Sequence, residues 1–127
     1  QSNYFKDRFP EENQRFNNVI FTDSVQGEQD ASLSLMRNSM LSRDDLVASV
    51  FIGGMEGIET EYDMFIERHP DSVVLPVPAP GGAALELAKK LALFNDDELH
   101  DIDFARLFRS RLSSAITSHR PMTGATE

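Results

Sequence analysis

The chain has 127 residues, 40% of them hydrophobic, which is enough for one domain with a sizeable core. Its 12 basic and 21 acidic residues leave a net charge of -9, a field that opposes binding along a nucleic-acid backbone, where affinity comes from basic residues releasing counterions. It has no cysteine, which excludes a disulfide framework and any thiolate metal site, and no run reaches the roughly 18 to 20 apolar residues of a membrane span.

A cytoplasmic protein with neither a nucleic-acid nor a membrane partner is expected. Gln1-Ser2-Asn3-Tyr4-Phe5 opens without a methionine or a basic leader and reads as the start of a fragment or a processed chain. Phe5, Phe9 and Phe16 flank Pro10-Glu11-Glu12-Asn13. A proline and two acids suit the first turn of a short helix, where a missing N–H costs nothing and negative charge meets the positive end of the helix dipole. Asn18 to Thr22 predicts a short strand, followed by a polar loop through Gly27. Asp30 then predicts the N-cap of a helix over about Ala31 to Leu41, with Leu33, Met36 and Met40 on one buried face and Arg37 at its rim.

Leu46 to Ile52 is the most hydrophobic run of the chain, and its nearly continuous apolar character predicts a strand buried on both faces, as in a parallel sheet. The run breaks at Gly53-Gly54-Met55-Glu56-Gly57. Beyond it Ile58, Tyr62 and Phe65 fall on one helical stripe over Gly57 to Arg68, which ends before Pro70. A helix N-terminus exposes unpaired main-chain N–H groups, and glycine lets a phosphate come close to the backbone, so such a turn suits a nucleotide. Ser72 to Val77 repeats the pattern with a short buried strand, the loop Pro78-Ala79-Pro80-Gly81-Gly82, and a helix over about Ala83 to Leu93. In a parallel sheet both glycine turns emerge at the carboxyl edge, where open α/β folds bind ligands.

Asn95-Asp96-Asp97-Glu98 predicts the cap of a last helix over about Asp97 to Leu112. Leu99, Ile102, Phe108 and Leu112 form its apolar side, and Arg106, Arg109 and Arg111 near its end favour the dipole there. From Ser113 onward hydrophobicity falls, so residues 1–112 are expected to form a single α/β domain and residues 113–127 a flexible tail. His69, His100 and His119 stand apart from one another, and neither a metal site nor a cofactor is expected.

The segment Gly53-Gly54-Met55-Glu56-Gly57-Ile58-Glu59-Thr60-Glu61 resembles the P-G-G-x-G-T-x-x-E signature of the LOG phosphoribohydrolases and of the wider SLOG superfamily of Rossmann-like nucleotide-binding domains. Gly54, Gly57 and Glu61 match it. Gly53 stands where the signature has proline, Met55 where it has its second glycine, and Ile58 where it has threonine, a change that by the resemblance would remove one hydroxyl contact to a phosphate. Asp7 to Asn13 and Ala31 to Arg37 also resemble the C-terminal part of bacterial SLOG-type proteins, and the likeness covers about Tyr4 to Leu91. It implies a three-layer αβα fold with a parallel sheet. Complete domains of that superfamily usually carry further strand–helix units before this point, whereas this sequence shows three strands. If those units are absent, a missing N-terminal segment or a second copy would have to complete the sheet.

Three functions follow. The first is a sensor-type domain that binds a nucleotide or nucleotide-derived signal through Gly53, Gly54, Met55, Glu56, Gly57, Glu61, Pro80, Gly81 and Gly82, with Arg37 on a phosphate. The second is a LOG-like phosphoribohydrolase. By resemblance Arg37 would take the place of that family's catalytic arginine, and Glu61 that of the glutamate acting on the N-glycosidic bond. The departures from the signature favour the first. The third is a ligand-free interaction module whose sheet edge pairs with another segment.

Overall fold

A computed structural model describes residues 1–118, which fall in two compact units, Gln1–Asp44 and a second beginning at Asp45. In the first unit a 3₁₀ turn, Asn3–Arg8, leads into helix α1, Pro10–Gln14, with proline at its start and Glu11 and Glu12 in its first turn. Tyr4 meets Phe5 edge to face at 4.8 Å, Phe5 lies tilted against Phe9 at 6.4 Å, and the Arg8 guanidinium lies 5.2 Å from the Tyr4 ring centroid.

The strand expected over Asn18 to Thr22 does not form. Among the described residues that segment has no neighbouring strand to complete a ladder, and its pairing is one isolated bridge in which Asn3 N–H donates to the Thr22 carbonyl at 2.8 Å. Helix α2, Gln29–Leu41, begins two residues earlier than the periodicity indicates, and Glu28 rather than Asp30 is its N-cap. Ser32 explains the shift. Its fully buried hydroxyl donates to the Glu28 carbonyl at 2.6 Å and accepts the Val25 N–H at 2.9 Å, tying the preceding turn to the helix. The methionine stripe is less buried than expected, with Met40 47% exposed, and the buried residues of α2 are Ser32 and Leu41.

The second unit is α/β. Strand β1, Ala48–Ile52, and strand β2, Val73–Val77, pair in parallel, with Val50 opposite Leu75 and Ile52 opposite Val77. A parallel pair needs a crossover, and helix α3, Gly57–Arg68, supplies it with the ends expected from Gly57 and Pro70. Helix α4, Gly82–Lys90, follows β2. One face of the sheet and these two helices share a core in which Phe51, Ala84 and Leu87 are buried with Ile58, Tyr62, Val74 and Leu91 around them. Phe51 meets the Tyr62 ring edge to face at 6.5 Å. On the other face Leu75 and Val77 pack with Leu107, Phe94, Phe108 and Leu112. The unit is thus a small three-layer, Rossmann-like arrangement, and both strands expected in it are present, paired as a two-stranded sheet among the described residues.

β1 is not buried on both faces. Side chains alternate along a strand, so Val50 and Ile52 share the face of their partners Leu75 and Val77. That face is covered by α5, Phe104–Ser118, over β2, while Val50 is 41% and Ile52 58% exposed.

The single last helix expected from Asp97 is instead a 3₁₀ turn, Glu98–His100, followed by a break and then α5. Asn95 and Glu98 bond reciprocally, each side chain accepting the other's N–H, at 2.9 and 3.0 Å. Asp101 accepts the Asp103 N–H and Asp103 accepts the Arg106 N–H, both at 2.9 Å, so two aspartates restart the helix. Arg106 is therefore in the first turn of α5, where Asp101 binds its guanidinium, and Arg111 bridges Glu98 at 3.2 Å and the Leu93 carbonyl at 3.0 Å. Neither serves the end of a helix. α5 runs six residues past Leu112, and the part of the expected tail from residue 119, with His119, lies outside the described residues.

The Asp101 carboxyl is held below its ordinary value, first by the Asp103 N–H and then by Arg106. A carboxyl that is a stronger acid when folded stabilises the fold above its unfolded pKa, and the contribution is lost as pH falls through the depressed value. Asp101→Asn should therefore flatten the acid limb of the stability profile below about pH 4. Acid unfolding with the same pH dependence as the wild type would show that this turn is not linked to stability.

Candidate functional site

Both glycine turns leave the carboxyl ends of β1 and β2, and the parallel pairing puts them side by side. The first turn needs its glycines. Gly53 and Gly54 take consecutive positive φ angles of 61° and 80°, a region L side chains rarely adopt, and a Cβ on Gly54 would collide with the Ile58 side chain. Ile58 thus folds back over Gly54 and also joins the α3–α4 core.

After Gly54 the backbone turns into α3 without a side-chain cap, Glu56 being the N-cap residue with helical dihedrals. Ile58 N–H donates to the Met55 carbonyl at 3.0 Å. The N–H groups of Gly54, Met55, Glu56 and Gly57 donate to no acceptor among the described residues. The turn is open to solvent, with Met55 83% exposed. Four successive main-chain donors at the positive end of a helix dipole form a surface that favours an anion.

The second turn is built differently. Gly81 has φ 81° and ψ -152°, a combination essentially confined to glycine, and its N–H donates to the Pro78 carbonyl at 2.9 Å. The first amides of α4 then turn to the neighbouring loop. Ala83 N–H donates to the Gly54 carbonyl at 3.1 Å, and Ala84 N–H to the Gly53 carbonyl at 2.9 Å. Gly82 sits against this junction, where a Cβ would lie 2.9 Å from both the Gly53 carbonyl carbon and the Gly54 oxygen. The α4 N-terminus is capped by the first glycine turn, and its donors hold that turn in place.

The remaining predicted site residues divide between the two units. Glu61 is the fifth residue of α3, half-buried and one turn along from Gly57 on the same side of the helix. Pro80 is exposed beside Gly81. Arg37 lies on α2 in the first unit and is half-buried. Two features were not anticipated. One is the main-chain bonding between the glycine turns, which has no signature in residue types. The other is a small apolar cavity of about 140 Å³ lined by Ile52, Val77, Pro80, Phe104 and Phe108. The aromatic pair at i and i+4 on α5 is its trace in the sequence. No helix among the described residues is long and apolar enough to cross a membrane.

A family model described as the SLOG cluster3 family matches residues 1–112. No curated protein and no solved structure matches the chain. The family match spans most of the sequence.

Proposed function

We propose that this chain, which belongs to the SLOG cluster3 family, is a ligand-sensing domain that binds a nucleotide or nucleotide-derived signal at the turn between β1 and α3. The observation that carries this reading is the run of N–H groups from Gly54 to Gly57, uncapped at the start of α3. A phosphate there meets several donors and the helix dipole, which offsets the unfavourable net charge of -9. The Gly81–Gly82 turn is the support of the site, since the α4 amides fix the carbonyls of Gly53 and Gly54 and so point the rest of that turn outward.

The test is thermal unfolding of the chain against a panel of mono-, di- and cyclic nucleotides and ADP-ribose derivatives. A ligand bound only by the folded state at about 100 times its dissociation constant adds roughly 2.7 kcal/mol, which is a rise of about 10 °C in a chain of this size. One nucleotide class should raise the midpoint selectively. A cooperative transition that no member of the panel shifts would remove this function.

A further inference from the structure

We propose that the apolar cavity between the strand ends and α5 receives the planar ring of the ligand whose phosphate sits on the glycine turn. This deepens the proposed function and rests on it. Ile52 and Val77 are the last residues of the two strands, and Phe104 and Phe108 are one turn apart on α5. Ile52 is bonded directly to Gly53 and Pro80 to Gly81, so the cavity wall includes a chain neighbour of each glycine turn.

Size and chemistry select the occupant. At about 140 Å³ the cavity is less than half of the roughly 300 Å³ at which sites for whole small molecules begin. It therefore accommodates one ring system, leaving sugar and phosphate outside. Its five lining side chains are all apolar and uncharged, so a phosphate or ribose would lose water there without a hydrogen bond in return. A flat, neutral aromatic ring loses little and gains stacking on phenylalanine. Ile52 is 58% and Phe104 38% exposed, so the mouth is open and the polar edge of a base remains in water. Such a slot accepts a base by its face and does not read its edge. Adenine and guanine nucleotides should differ in affinity by only a few-fold.

The chain has no tryptophan, so Phe104→Trp places a single reporter at the mouth of the cavity. Its fluorescence should be quenched by AMP and unaffected by ribose 5-phosphate. In calorimetric titrations AMP should bind the wild type at least about tenfold more tightly than ribose 5-phosphate. Phe104→Ala should weaken AMP about 5- to 100-fold and leave ribose 5-phosphate unchanged, with Phe104→Tyr restoring most of the loss. Phe104 is part-exposed, and an unchanged melting midpoint in these variants separates loss of stacking from loss of fold.

Equal affinity of AMP and ribose 5-phosphate, or AMP binding indifferent to Phe104→Ala, would overturn the ring site while leaving the phosphate site standing. Adenosine binding that depends on Phe104, with no binding of ribose 5-phosphate, would keep the ring site and refute the phosphate reading. Binding of none of the three would overturn both. Self-association lost in Phe104→Ala with AMP affinity unmoved would show that the cavity is covered by a second copy instead.

Discussion

Gly82→Ala is expected to destabilise the chain by about 3 to 5 kcal/mol. Gly82 has φ 69°, and a left-handed backbone costs an L residue about 1 to 2 kcal/mol. The larger part comes from the neighbour. The new Cβ would lie 2.9 Å from the Gly53 carbonyl carbon and the Gly54 oxygen, both main-chain atoms that cannot swing aside. The turns must separate, and the bonds from Ala83 and Ala84 to those carbonyls lengthen together. Each such bond contributes about 1 kcal/mol net, and more when the group left behind is buried. Gly81→Ala is the control. It has a positive φ of 81° but nothing within 4 Å of its Cβ, so it should cost only the backbone strain, about 1 to 3 kcal/mol. Urea midpoints of the two variants measure the difference. Equal losses would mean that the close approach of the two turns contributes nothing to stability.

Gly57→Asp should have the opposite profile, with binding lost and stability kept. Gly57 opens α3 and is not among the glycines with positive φ, so its backbone accepts a side chain. An acid in the first turn of a helix gains about 0.3 to 1 kcal/mol from the dipole, and replacing glycine in a helix removes a further penalty. A phosphate on the same donors would meet a second negative charge. At 4 Å and an effective dielectric of 20, two unit charges interact by about 4 kcal/mol, close to a thousandfold in affinity. Solvent at this open turn reduces that, so a loss of about a hundredfold is expected. Gly57→Ala should bind as the wild type does. Nucleotide affinity measured on both variants, with the urea midpoint of each, decides the matter. Unchanged affinity in Gly57→Asp would place the ligand elsewhere.

Much of the second unit was legible in the residues because its signals are local. Gly57 and Pro70 bracket α3, and the apolar runs before Gly53 and Pro78 mark β1 and β2. Their order along the chain makes the pairing parallel, since a helix between two strands returns the chain to the same edge. Proline and two acids likewise mark α1. Asn18 to Thr22 has strand-like residues and no strand, because a strand exists only against a neighbour and none of the described residues forms one beside it. Asp101 and Asp103 could be read as helix-surface acids or as caps. Their side chains bond to nearby amides, and the chain restarts at Phe104.

The amino-acid sequence by itself determined that two strands end in glycine turns feeding helices, since chain order and backbone freedom are properties of neighbouring residues. Only the tertiary structure decided how those turns differ. Both present the same residue type and the same helix N-terminus, yet Ala83 and Ala84 find acceptors on Gly53 and Gly54 while the amides of Gly54 to Gly57 find none among the described residues. The same holds for Val50 and Ile52, whose apolar character promised burial that α5 provides over β2 and not over β1. A hydrogen bond or an apolar contact needs two partners, and which partner arrives is a matter of distance across the fold.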